Sequence, residues 1–183
     1  MRKLVSVLAL VMSVAGCTDH SASANHAAAP TTSAPPPATA GDAGGACQLV
    51  DYDMIKATLG LDFGVAAAAQ HDNTYTCVTQ ARGASFPDLV LAVTATSADE
   101  TIFKSTVQPK GATAVAGLGK LGFSTTFPAA GNAGPGVEVG WLAGNGRLLD
   151  LKLRLAASAT PEQVTEAVPR VVALAKKIDL SSV

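Results

Sequence analysis

Residues 47–183 predict an α+β fold, an antiparallel sheet with helices packed on one face, in the order α-β-β-α-β-β-β-α. Three observations carry that expectation. Leu149, Leu151, Leu153 and Leu155 alternate with Asp150, Lys152 and Arg154, the period of two of a half-buried strand. Asn145-Gly146 separates this run from a second alternating run through Val137, Val139 and Trp141, and a short turn of that composition makes the two strands antiparallel. The last segment then changes to helical spacing, with Val164, Val168, Val171, Ala175 and Ile178 along one face. Hairpins flanked by helices, without a repeated strand-helix-strand unit, point to α+β rather than to a parallel sheet.

In chain order, a first helix fits 51–59, with Asp51 as N-cap, Asp53 in the first turn, Met54, Ile55 and Leu59 apolar, and Gly60 as the stop. The segment holding His71 reads as a loop. Residues 74–80 read as a strand carrying Cys77, and a turn from Arg82-Gly83 to Pro87 leads to 89–96, apolar on both faces and therefore more central. Ser97-Ala98-Asp99-Glu100 has the form of a capping box opening a short helix, with Ile102, Phe103 and Val107 inward and Pro109 beyond its end. A strand near 123–127 precedes the hairpin of 137–143 and 147–155, for which Asn145-Gly146 suits a type I′ turn. Thr160 caps the final helix, with Pro161 at N1 and Gln163 at N3. Pro169 removes one hydrogen bond inside it and predicts a kink.

Composition excludes some partners. The chain has 183 residues, 13 Lys and Arg against 14 Asp and Glu, and 48% hydrophobic residues, of which 35 are alanines. A protein that tracks nucleic acid needs a basic excess and stacking aromatics, and here the charge is −1 and aromatics are 4%. No nucleic-acid partner is expected.

The N-terminus has the three-part layout of an export signal. Arg2 and Lys3 precede an apolar run from Leu4 to Val14, and Ala15 and Gly16 stand before Cys17. A run of eleven residues covers about half of a ~30 Å hydrocarbon core, so residues 1–16 are expected to be cleaved rather than to anchor the chain. Val14-Ala15-Gly16-Cys17 resembles the lipobox of bacterial lipoproteins. That resemblance implies diacylglycerol on the Cys17 thiol, cleavage before Cys17, and attachment to the extracytoplasmic face of the cell membrane through acyl chains. Loss of residues 1–16 leaves 11 basic against 14 acidic side chains, a charge of −3, so attraction to anionic lipid does not help and the acyl chains must hold the chain.

Residues 17–46 are expected to form the lipidated cysteine and a disordered tether. From Thr18 to Ala46 the chain is largely Ala, Ser, Thr, Pro and Gly, and no aliphatic side chain larger than alanine is available to offset the entropy of ordering. Thr31, Thr32 and Ser33 are candidate sugar acceptors, and His20 and His26 read as solvated coil residues. With Cys17 taken by lipid, Cys47 and Cys77 remain as an even pair in an exported chain, and a disulfide between them is expected. The alternative, free thiols or a zinc site with His71, has no Cys-x-x-Cys spacing behind it. The domain proper is expected over 47–183.

Together, the lipobox, the Thr/Pro-rich tether, Cys47 ahead of a helix ending in Leu59-Gly60, Cys77 on the next strand, the Ala-x-Ala-Gly-Leu-Gly stretch at 114–119 and the Ala/Val-rich terminal helix resemble the small actinobacterial, mycobacterial-type cell-envelope lipoproteins with a paired-cysteine domain of unknown function. The resemblance implies location and fold rather than an activity. The chain departs from that pattern at Val78 and Thr79, where the family often has an aromatic residue.

Catalytic constellations are not found. Gly117-Leu118-Gly119-Lys120-Leu121-Gly122 matches G-x-G-x-x-G, but a dinucleotide site needs a helix opening at the last glycine, and Phe123 to Pro128 reads as strand; a flexible glycine loop is the expected reading. His71 beside Asp72 reads as a surface loop histidine, and no G-x-S-x-G elbow exists. Glu138, Asp150, Lys152 and Arg154 are expected on a solvated face, the acids are expected to be dispersed, and Trp141 is expected in the core. No catalytic residue, cofactor or metal is expected. The function expected is that of a membrane-anchored binding or accessory module, non-catalytic, with an envelope protein, glycan or lipid as partner. The alternative is a carrier of lipid or a small hydrophobic ligand, which needs an internal apolar cavity, such as Ala167, Ala173 and Ala175 around Pro169 would permit.

Overall fold

A computed structural model describes residues 39–181. It is α+β, with a seven-stranded antiparallel sheet and helices on it. The strands are β1 (Val65–His71), β2 (Thr74–Gln80), β3 (Asp88–Ala95), β4 (Thr113–Ala114), β5 (Leu121–Phe127), β6 (Ala133–Leu142) and β7 (Arg147–Ala156). Their spatial order is β1-β2-β3-β7-β6-β5-β4. Two meanders, β1 to β3 and β4 to β7, therefore meet at the β3–β7 pair, which is why the Leu-rich β7 and the doubly apolar β3 lie at the centre.

Helix α1 (Tyr52–Leu59) begins as its sequence requires: the Asp51 carboxylate accepts from the N–H groups of Asp53 at 2.7 Å and Met54 at 3.2 Å, and Gly60 ends it in the left-handed conformation. Helix α3 (Pro161–Ser181) starts from a reciprocal cap, with Thr160 N–H donating to Gln163 Oε1 at 2.9 Å and Gln163 N–H to Thr160 Oγ1 at 3.4 Å. It runs as one helix through Pro169. Both helices cover the same face of the sheet. Val164, Val171, Leu174, Ala175 and Ile178 of α3 and Ile55 and Leu59 of α1 are buried against Leu89 and Leu91 of β3, Val137, Val139 and Trp141 of β6, and Leu149, Leu151 and Leu153 of β7.

The expectation that every helix lies on one face needs correction. Helix α2 consists of an α-helical turn, Glu100–Ile102, continued by a π-helical turn, Phe103–Val107, and it packs on the other side. Phe103 meets Phe123 with ring centroids 5.9 Å apart and shares a small cluster with Leu142. Leu142 follows Trp141, so it points to the opposite face, and Phe123 pairs with Gly140 on that same side. Gly140 is required there, because a Cβ would lie 2.5 Å from the Phe123 ring. Ile102, expected inward, is exposed. The cap also shifts: Asp99, not Ser97, accepts from the Ile102 N–H at 2.9 Å, because aspartate at that position reaches N3 directly.

Two strands were not foreseen. β1, read as a loop, is alanine-rich and shows no alternation, yet all seven of its residues pair in register with β2. β4 is two residues long and pairs with Ser124 and Phe123. The β6–β7 connection is a three-residue loop, 144–146, rather than a type I′ turn. Only Gly146 in it has positive φ (75°), whereas type I′ needs two such residues, and Ala143 N–H donates to Arg147 C=O at 2.8 Å. Ordered structure also begins before Cys47. Two 3-10 turns, Ala40–Ala43 and Gly45–Leu49, take in residues 40–46 that were placed in the tether, and Ala40 and Ala46 are buried, small enough to pack closely over β1 and β2. No described helix is long and apolar enough to cross a membrane.

Candidate functional site

Cys17 and the leader 1–16 lie outside the described residues, as do His20, His26, Thr31, Thr32 and Ser33. Cys47 and Cys77 form a disulfide with a Cα–Cα distance of 4.9 Å. Both are buried, and the bond fastens the second 3-10 turn to β2. Closing 30 residues of chain lowers the unfolded-state entropy by an amount worth about 3.7 kcal/mol at 25 °C.

Trp141 is fully buried, its ring surrounded by the apolar cluster and its Nε1–H donated to Asp179 Oδ1 at 3.0 Å. The other Asp179 oxygen accepts from the Gly119 N–H at 3.2 Å. This contact explains the glycine-rich stretch. Gly119 has φ of 55° and a Cβ there would lie 2.4 Å from the Leu142 carbonyl oxygen, Lys120 N–H donates to that oxygen at 2.8 Å, and Leu118 is buried. The stretch is thus a latch against β6 and α3 rather than a flexible loop, and strand β5, not a helix, follows it.

An open groove of about 570 Å³ lies between α1 and the ends of β1 and β2. Thr39, Asp51, Tyr52, Asp53, Lys56, Asp62 and Arg82 supply its polar groups. The Lys56 ammonium meets Asp62 Oδ2 at 3.1 Å. Arg82 runs along Gly64, its Nε 3.2 Å from where a Cβ would stand, so the glycine makes room for it. Burial raises the Tyr52 phenol above its ordinary pKa, the Arg82 charge opposes that rise, and Asp42 adds to it. Hydroxyls, carboxylates and two cations within one groove can hydrogen-bond a polar ligand; none of them is arranged as a nucleophile with its base. A second groove, about 310 Å³, runs between the end of β7 and α3 with Leu59, Leu61, Leu153 and Leu155 on its floor, and a third, about 340 Å³, lies beside Tyr75 and Leu49.

The face opposite α1 and α3 carries a row of charges. Asp88, which falls between the expected turn and strand, is buried and receives both Nε (2.8 Å to Oδ1) and Nη2 of Arg154, its cross-strand partner. That carboxylate holds the Arg154 pKa up, and the guanidinium lies 5.5 Å from the Phe86 ring centre. Lys152 bridges Asp150 at 2.8 Å and Glu138 at 3.5 Å. Burial pushes the Glu138 pKa up and neighbouring Asp150 pushes it further, while Lys152 partly offsets both. Burial lowers the Lys152 pKa, but the two carboxylates outweigh it and the net direction is upward. Asp150 Oδ1 is buried without a hydrogen-bond partner. Two of the acids expected to be dispersed are therefore joined through one ammonium, and Glu138 is largely covered rather than solvated. His71 ends β1, 89% exposed, with Nδ1 3.4 Å from Asp72. Among the described residues no group of three His, Cys, Asp or Glu is placed to hold a metal.

No protein-family model, no curated protein and no solved structure matches this chain.

Proposed function

We propose that this chain is an exported binding or accessory module, held to the extracytoplasmic face of the cell membrane by acyl chains on Cys17, and that its ligand site is the groove between α1 and the ends of β1 and β2. It acts without catalysis. A single observation favours this reading over the carrier: Trp141, Leu149, Leu151 and Leu174 are fully buried in the apolar cluster beneath the sheet, while the groove of about 570 Å³ is open and carries Asp, Lys and Arg side chains beside its apolar lining. A carrier of apolar molecules needs the reverse, a dry enclosed cavity. The buried disulfide accords with an oxidising compartment, and Val14-Ala15-Gly16-Cys17 supplies the anchoring chemistry.

Native mass spectrometry of the full chain, extracted from the envelope of its own cells, tests this. A retained polar ligand that is lost when Lys56 and Arg82 are both changed to Ala is the expected result, and the Cys17→Ala chain should leave the membrane fraction. A retained acylated molecule unaffected by those two substitutions would instead establish the carrier.

A further inference from the structure

The two edges of the sheet are treated differently. β4 closes one edge with two residues. β1 closes the other with seven, Val-Ala-Ala-Ala-Ala-Gln-His, which include no proline and no Asp, Glu, Lys or Arg, and the register with β2 is unbroken. Natural sheets protect a long edge with charges, proline or a bulge. None of these lies within β1. His71 and Thr74 flank the two-residue turn Asp72-Asn73 and form its hydrogen-bonded closing pair, so alternate residues Ala66, Ala68 and Gln70 turn their N–H and C=O groups outward. Among the described residues no backbone hydrogen bond reaches those outer groups. Among the described residues, two of the three large apolar side chains that are exposed, Val65 and Tyr75, belong to the same hairpin.

An extended strand of any origin could add to such an edge, but the charges select one. A second copy of β1, antiparallel and centred so that Ala68 faces Ala68, overlaps all seven residues and opposes Val65 to His71 and Ala66 to Gln70, with no like charges across the seam. One step beyond the strand, the same register brings Asp72 opposite Gly64 of the other copy. Asp72 is 88% exposed, and Arg82 lies against Gly64 with no carboxylate of its own chain paired to it among the described residues. A two-fold axis makes this match twice, once at each end. We infer that β1 is a homodimerisation edge, where two copies of this chain join their sheets through antiparallel β1 strands centred on Ala68 and pair Asp72 of each with Arg82 of the other.

The register gives the test. In the full chain, Ala68→Cys places two thiols on residues about 5.5 Å apart at Cα, within the disulfide range. Ala66→Cys places them about 13 Å apart, beyond that range. Mild oxidation followed by non-reducing analysis should give at least about tenfold more linked dimer for Ala68→Cys than for Ala66→Cys or the parent chain. In the Ala68→Cys background, Asp72→Arg should cut the yield roughly tenfold, and adding Arg82→Asp should restore it. Equal yields at positions 66 and 68, no linked dimer in either, or no effect of the charge reversal would overturn the proposal. Hydrogen exchange on the unsubstituted chain gives a reading independent of cysteine: the Ala66, Ala68 and Gln70 amides should slow as concentration rises. Protection of those amides in a chain that stays monomeric at every concentration would mean that the edge is covered within the one chain and would reject the dimer.

Discussion

The two faces of the sheet are held by different forces. On the face under α1 and α3, cohesion comes from shape and apolar area: alternate residues of β3, β6 and β7 meet two helices, and the polar exceptions are tied off, as when Trp141 and Gly119 both donate to Asp179. On the other face the same strands present Asp88, Arg154, Glu138, Lys152 and Asp150, and Phe103 of α2 packs over the β5–β6 end. One strand therefore serves two environments by parity alone, β7 showing Leu149, Leu151 and Leu153 to the core and Asp150, Lys152 and Arg154 to the ionic row. The covered face sets stability, because buried apolar contacts add without competition from water. The ionic row sets register and pH response, because each charge there is measured against its own hydration.

That contrast predicts a steep order of effects. Trp141→Ala removes the largest buried side chain and one of the donors to Asp179; it should cost about 3–5 kcal/mol in urea unfolding. A loss below about 1 kcal/mol would mean that the covered face does not dominate. On the ionic row, Asp88→Ala should cost less, about 1–3 kcal/mol by the same measurement, because the Arg154 side chain is 40% exposed and can turn to water. Arg154→Ala should be the more damaging half of the pair, since it leaves the buried Asp88 carboxylate uncompensated, with an exposure of only 4%. If the two substitutions cost the same, the burial asymmetry of the pair has no energetic meaning.

Legibility in the sequence followed the same division. Where an element faces both core and water its period was readable, so β7, β6, α3 and α1 were all foreseen as elements, although β6 begins at Ala133 rather than at 137. Elements that lack such a boundary were invisible. β1 has alanine on both faces, and its strand state comes from pairing with β2; β4 is too short for any period. The side of the sheet taken by α2 could not be read either, because Phe103 is its only buried side chain and one residue defines no stripe. The candidate groove was missed for a different reason. Its polar groups come from Thr39, from α1, from the loop at Asp62 and from Arg82 after β2, four segments joined only by the fold. The single available clue was Gly64, which admits Arg82. Asp88 and Asp179 gave no signal, since a carboxylate beside a proline or near a helix end reads as surface until its partners, Arg154 and Trp141, are placed across the sheet.

The smallest effect tests the ionic row most directly. Glu138 is protonated more readily in the folded chain than in the unfolded one, because burial first, and then Asp150, disfavour its charge. A folded carboxyl with a raised pKa binds protons that the unfolded chain releases, so stability falls as pH rises from the ordinary value of 4.5 through the raised one, and stays lower above it. Glu138→Gln removes that proton and should flatten this part of the stability curve, changing little below the window and gaining a few tenths of a kcal/mol above it. The gain is small because the Lys152 contact, 3.5 Å away, is weakened at the same time. Chemical denaturation followed at several pH values across the window reads the slope. A steeper slope in the substituted chain would show that attraction to Lys152, rather than burial and Asp150, governs Glu138, and would place the ionic row among the stabilising features of the fold instead of those that set its response to pH.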